Sequence, residues 1–293
     1  MSDQVHRHKQ TWAQRLLFID SLAATTLPAP RTQQAFVVTA LLRRRADISA
    51  RSFRQHIETG LSARLAEDRG ALGIDALKVY RDASAGGLLS FFLQLTRSHG
   101  YTAFLCRVLK RDAPPPYRIR YGVLYDHVVQ MTFQRHPQAA QIDALLSLLR
   151  GPQVPARECT VLASTRQYTV YDHGSARDER RRIDICFLVN RPQAMSRATC
   201  QAYWRTRHAD LALRNMQYLG LTRYLQVHTA DSLGGGFDDA YDGVVYAEKS
   251  SLARLLFELA KPSSFRFNNT VIIDETNFTE CTPIMLLRLA TAW

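Results

Sequence analysis

No run of about 18 consecutive apolar residues occurs in the sequence, which excludes a membrane-spanning helix. The apolar core of a secretory leader is equally missing. Met1-Ser-Asp-Gln-Val-His-Arg-His-Lys-Gln10 runs into a segment broken by Arg15 and Asp20, so a cytoplasmic protein is expected. The five cysteines are odd in number, widely spaced and never in a C-x-x-C pair, which excludes a disulfide framework and a zinc ribbon. Cys186 and Cys200 lie in apolar stretches and read as buried thiols. Neither H-x-x-x-H nor H-E-x-x-H occurs, so no metal centre is expected. Gly234-Gly-Gly236 lacks the strand–turn–helix setting of a phosphate cradle and reads as a flexible hairpin loop, so no cofactor is expected either. Lysine is scarce, with five among the 38 basic residues.

At 293 residues the chain is about twice the usual domain length, which points to two domains. A hydrophobic share of 46% and a charged share of 22% are those of a globular protein. The net charge of +12 is carried mostly by arginine. It admits three readings: a nucleic-acid surface, bidentate recognition of an anionic substrate, or solubility alone. No basic, aromatic-interleaved RNP-type motif lies on any expected strand, so no nucleic-acid partner is expected.

The hydrophobic pattern repeats one order of elements twice. Ile183–Val189 reads as a buried strand, and Ser196 caps a helix that runs to about Tyr218, with Gly220 just past its end. Thr222–Thr229 and Tyr241–Ala247 read as strands, Ser250–Lys261 as a helix stopped by Pro262, and Pro283–Leu289 as a last strand. This β-α-β-β-α-β order is that of a ferredoxin-like unit. Ala35–Leu42, a helix capped by Ser49 and carrying Phe53, Ile57 and Leu61, Ile74–Arg81, Tyr125–Phe133 and a helix over Pro137–Leu149 repeat the order. The expected fold is therefore α+β, with two such units making an intramolecular pseudo-dimeric α/β barrel. The expected organisation is an N-terminal helical extension over 1–34, with a docking helix at Gln10–Ser21. A diverged unit follows over 35–178, with an insertion near 82–120, and a second unit over 179–293.

The stripe Cys200, Trp204, His208, Leu211, Asn215 and Tyr218 places polar atoms on the core-facing side of the second unit's helix. A core histidine bonded to a backbone carbonyl is the simpler alternative for His208. On the next strand side chains alternate faces, which sets Tyr224, Gln226 and His228 against Leu225 and Val227. The apolar pair is expected to receive the helices. The polar row would then project into a cavity closed by the second sheet, where Asp242 is placed to fix a histidine tautomer.

Tyr203–Ala212 (Tyr-Trp-Arg-x-x-His-Ala-x-Leu-Ala), Gly220–His228 (Gly-Leu-x-Arg-Tyr-x-Gln-x-His), Tyr241–Val244 and Asp274–Phe278 resemble the EthD-like family of dimeric α/β-barrel proteins. The likeness spans about Ile183–Leu289. In the first half it is faint, with Leu61 standing where His208 is and Arg81 where His228 is. The first unit's equivalent site is therefore expected to be chemically silent. The resemblance implies cofactor-free dehydration, cyclisation or isomerisation of a small aromatic, polyketide-like or carboxylated molecule; some members have only accessory roles.

His208, His228 and Asp242 are the candidate catalytic residues. Trp204, Tyr224, Gln226, Asn215 and Tyr246, with Asp126 and His127 of the first unit, are the candidate substrate contacts. A lyase or isomerase working by histidine acid–base chemistry is one reading; a non-catalytic carrier of a small hydrophobic ligand is the other. A small aromatic or anionic molecule is the expected partner, with a membrane partner not expected and a homodimer allowed.

Overall fold

Ser49 and Ser196 start the two long helices, each accepting a hydrogen bond from a backbone N–H three residues on, at Ser52 and Thr199. A computed structural model describes residues 31–83, 103–104, 107–108, 124–172, 182–231, 235–260, 270–280 and 282–293, without the side chains of 215–219 and 258–260. The expected docking helix at Gln10–Ser21 and nearly all of the expected insertion lie outside the described residues.

Eight strands alternate with helices. Strand β1 is Arg31–Arg44. Helix α1 runs from Ala50–Gln55 through a π turn at His56–Leu61 into Ser62–Glu67 and Arg69–Leu72. Strands β2 (Ala76–Asp82) and β3 (His127–Phe133) follow, then helix α2 (Ala139–Arg150) and β4 (Ala156–Asp172). The second half comprises β5 (Ile183–Val189), helix α3 and β6 (Leu221–Thr229). Helix α3 is built from Arg197–Tyr203, a π turn at Trp204–His208 and Ala209–Leu219. Then come β7 (Gly243–Lys249), helix α4 (Leu252–Ala260), a short helix over 270–275 and β8 (Ile284–Ala292). Gly220 ends α3 in the left-handed region at φ 57°, the conformation that makes glycine the residue of choice after a helix. Among the described residues no helix is long and apolar enough to cross a membrane.

The strands form one antiparallel closed barrel in the order β1-β3-β2-β8-β5-β7-β6-β4. The order β4-β1-β3-β2 in the first half is repeated as β8-β5-β7-β6 in the second, and the halves join edge to edge at β2–β8 and β4–β6. The expected closure of one sheet face over another is thus replaced by a shared sheet. An eight-stranded barrel is just wide enough for its own side chains to fill it. Val37, Leu41, Val128, Leu188, Leu225 and Val227 do so here. The helices cover the outside. Phe53, Ile57, Leu61 and Leu65 of α1 pack on the outward Phe36, Val38, Ala40 and Leu42, while Cys200 and Trp204 of α3 pack on Tyr224 and Val245.

This arrangement reverses the expected faces of β6. Leu225 and Val227 enter the barrel, whereas Tyr224, Gln226 and His228 face α3. The physical reason is that a closed barrel buries both faces of every strand. A narrow interior demands aliphatic filling, so the polar row is left to the helix side, where it finds partners.

Candidate active site between helix α3 and the barrel wall

Gly243 of β7 lets Trp204 lie flat on the outer wall. A Cβ there would stand 2.6 Å from both the Trp204 ring carbon Cζ3 and the Val227 carbonyl oxygen, closer than packed atoms approach. The Gly243→Ala variant is expected to lose about 1–3 kcal/mol of stability through overpacking. A urea titration checks this, and Trp204→Ile, which copies the Ile57 of α1, should restore part of the loss.

The Trp204 indole stacks on the His228 ring, with centroids 4.4 Å apart and planes within 4°. Tyr168 of β4 meets the same imidazole edge-on at 4.6 Å. Gln226 settles the tautomer. Its Nε2 donates to the Trp204 carbonyl oxygen and the Tyr224 hydroxyl, each at 3.3 Å, so its Oε1 accepts from His228 Nε2 at 3.0 Å. The lone pair of His228 is then on Nδ1. Burial, aided by the charges of Arg205 and Arg166, pushes the His228 pKa down to about 3. His228 is therefore a neutral hydrogen-bonding ring at physiological pH and a poor proton acceptor.

The sign of this shift sets an acid dependence. The unfolded imidazole takes up a proton near pH 6.5, the folded one only near 3, so the stability held above pH 6.5 is lost as pH falls toward 3. Full development amounts to about 5 kcal/mol. Denaturation curves between pH 7 and 4 should slope about 1.4 kcal/mol per unit less in His228→Gln than in the wild type.

His208 closes the π turn of α3 and is 5% exposed. Its Nδ1 meets Asp274 Oδ2 at 2.8 Å, and Tyr203 donates to Asp274 Oδ1 at 2.7 Å. Asn277 in turn donates to the Tyr203 hydroxyl at 3.2 Å. Burial pushes the Asp274 carboxyl up, but the hydrogen bonds from His208 and Tyr203 outweigh it and hold the group below its ordinary value. A carboxylate behind Nδ1–H leaves Nε2 as the basic atom of His208, the arrangement of a general base with its orienting acid. The partner is a carboxylate rather than the backbone carbonyl of a structural core histidine.

Tyr224 is buried, and its oxygen accepts from Trp204 Nε1 at 3.4 Å as well as from Gln226. Both lone pairs are thus occupied, and among the described residues no acceptor takes its proton. Burial pushes its pKa up, and the Asp274 charge adds to the rise. It is a phenol held protonated with a hydrogen bond to give.

Of the sequence-predicted residues, the structure joins Trp204, Tyr224, Gln226 and His228 in one network, while His208, one helical turn on from Trp204, contacts Asp274 and Phe278. Asp242 is not among them. It is buried at the start of β7, where its carboxylate accepts from the Arg191 backbone N–H at 2.7 Å, the Arg191 side chain and Arg197 Nε at 2.9 Å, so it orients no histidine. Asp126 does the same for Arg44 in the first half. Tyr246 lies inside the barrel, stacked on Tyr80 at 5.5 Å. The Asn215 side chain lies outside the described residues. Asp274 is the residue that spacing did not assign; its only signal is the Asp-Glu-x-Asn-Phe motif.

Arg81 pairs with His127 in the register where His228 pairs with Gly243, so the expected equivalence of Arg81 and His228 is a matter of strand geometry. The first half is nevertheless not silent in titratable groups. His127 Nε2 lies 3.4 Å from Glu58 Oε1, and Arg81 Nη1 lies 3.3 Å from Glu58 Oε2. Burial raises the Glu58 carboxyl, but His127 and Arg81 together bring it below its ordinary value. Among the described residues no group of three or more His, Cys, Asp or Glu side chains is placed to hold a metal ion.

The chain is an antiparallel eight-stranded closed barrel wrapped by helices, and solved structures share this fold. It is similar to the crystal structure of an anthrone oxidase-like protein over 89% of this chain and 93% of that one, with a TM-score of 0.54 at 6% identity. The cyanide complex of a mutant chlorite dismutase from Candidatus Nitrospira defluvii aligns over 87% of this chain and 90% of its own, with a TM-score of 0.40 at 14% identity. A proposed monooxygenase from Lactobacillus acidophilus NCFM aligns over 90% and 95%, with a TM-score of 0.41 at 9% identity. No protein-family model and no curated protein sequence matches the chain.

Proposed function

We propose that the chain is an enzyme that moves a proton on a small organic molecule bound between α3 and the outer wall of β6 and β7. The His208–Asp274 contact of 2.8 Å carries this reading. His208 Nε2 takes a proton from carbon next to a carbonyl, and the Asp274 carboxylate stabilises the imidazolium that forms. Tyr224 gives its hydrogen bond to the oxyanion that develops, which lowers the barrier by a few kcal/mol. Gln226 and His228 hold Tyr224 and Trp204 in place, and His228 itself takes no part in proton abstraction because its basicity is too low. The same chemistry, completed by loss of water or by return of the proton elsewhere, is a lyase or isomerase reaction without a cofactor.

The repeated strand order supports two ferredoxin-like units over 35–178 and 179–293, an EthD-like chain duplicated in tandem, with the second unit active. The fold shared with an anthrone oxidase-like protein is in keeping with an aromatic substrate. The test is a thermal-shift screen of aromatic acids and polyketide-type ketones, followed by mass spectrometry of the ligands that stabilise. A new chromatographic peak of equal mass, or one lighter by one water, supports the enzyme. A ligand that binds and is released unchanged overturns it in favour of a carrier.

A further inference from the structure

Strand β4 changes faces at a bulge. Leu162 belongs to the barrel interior and Ala163 to the outer layer, so plain alternation would put Ser164 and Arg166 inside with Leu162. Instead the pairing with β6 steps from Ser164 opposite Thr229 to Arg166 opposite His228, which leaves Thr165 as the extra residue. The Ser164 hydroxyl fastens the bulge. It accepts from the Arg166 backbone N–H at 3.2 Å and donates to the Arg166 carbonyl oxygen at 2.9 Å. Beyond the bulge, Val170 packs in the α3 layer and Tyr168 touches His228, so Arg166, the partner of His228, also stands on the α3 side. The step spares the narrow interior an unpaired guanidinium.

Arg205 arrives at the same place from the helix. It lies in the π turn of α3, one residue after Trp204 and three before His208. Its Nη1 donates to the Tyr168 hydroxyl at 3.3 Å, and its guanidinium carbon stands 5.5 Å from the centre of the Tyr168 ring. Tyr168 is buried and forms a floor that Arg205 and His228 share. Both arginines are exposed, and among the described residues neither forms a salt bridge. Their charges meet at His228: both weaken its ring, and among the described residues no carboxylate opposes them there. Arg205 spends one donor on Tyr168 and keeps the rest of its fork, while the Arg166 guanidinium spends none among the described residues.

We propose that Arg166 and Arg205 bind a carboxylate at this edge of the α3 site, so that the small molecule taken there is an organic anion. Such a contact rests on the reading of that site as one that binds a small molecule, and adds to it the ligand's charge and the side from which it is held. Planar, permanently charged donor forks match the two oxygens of a carboxylate.

Isothermal titration of the full chain with sodium benzoate and sodium cinnamate, each beside its neutral amide, tests this contact. The carboxylates should bind about 10-fold more tightly than benzamide and cinnamamide. Arg166→Gln and Arg205→Gln should each erase most of that preference without changing the affinity for the amides. Arg207→Gln removes the same charge from the same helix, but its guanidinium stands over Tyr203 rather than Tyr168, so it should leave the preference intact. All three side chains are exposed, so the variants should fold. Equal affinity for acid and amide, no binding of either acid, or a loss in Arg207→Gln as large as that in Arg205→Gln overturns the contact. Binding is read here without turnover. A carboxylate held by both arginines but never transformed would count against the enzyme alone, whereas amides that bind as tightly as the acids would leave the α3 site standing and remove its arginine contact.

Discussion

His208→Gln lowers turnover by about 10²–10⁴-fold, the range that removal of a general base costs. The amide keeps a polar group beside Asp274 but has no basic nitrogen, so the fold is retained while proton abstraction stops. Asp274→Asn should lose less, because Nε2 of His208 remains but the imidazolium loses its counter-charge. Tyr224→Phe should lower kcat by about 10-fold or more while the variant still binds ligand, since the hydrogen bond it removes strengthens only as the oxyanion forms. Steady-state rates on a substrate from the ligand screen check all three. A His208→Gln enzyme with unchanged turnover would remove the base from the account.

Asp242→Ala unfolds the chain more readily by about 3 kcal/mol without touching the chemistry. The carboxylate is 1% exposed and neutralises two arginines, one of them, Arg197, itself 5% exposed on its side chain. Its loss strands an Arg191 backbone N–H and leaves the Arg197 guanidinium with the Ala230 carbonyl and the exposed Asp231 and Asp239. Urea denaturation should show the shift in midpoint. Asp126→Ala in the first half should cost less, because that carboxylate is 32% exposed and, among the described residues, pairs with Arg44 alone. This contrast separates a structural carboxylate from a catalytic one: Asp242→Ala should retain its turnover per folded molecule.

The helices and most strands were legible because their signals are local. Ser49, Ser196 and Gly220 mark helix ends by hydrogen bonding and by φ, and Phe53, Ile57 and Leu61 mark a buried stripe. Strand β4 carried no such signal. It pairs with both β1 and β6, and its register slips between Ser164 and Arg166 and again between Thr169 and Tyr171, so its alternation breaks. Alternation did separate Tyr224, Gln226 and His228 from Leu225 and Val227. It had no means of telling which set faces inward once the sheet closes. His208 was legible as a polar group on an apolar stripe. Its partner was not, because Asp274 lies 66 residues away and is brought near only by the short helix over 270–275. Asp242 misled because an aspartate at a strand start beside a histidine-bearing strand fits an orienting role, while Arg191 and Arg197 claim it in three dimensions.

Solvent exchange at carbon tests the central claim most directly. A ligand from the screen is incubated with enzyme in deuterium oxide, and its proton spectrum is followed. The wild type should wash out the C–H next to the carbonyl, and His208→Gln should leave that signal intact over the same time. Equal wash-out by both proteins, or none by the wild type on a ligand it demonstrably transforms, contradicts proton abstraction by the His208–Asp274 pair.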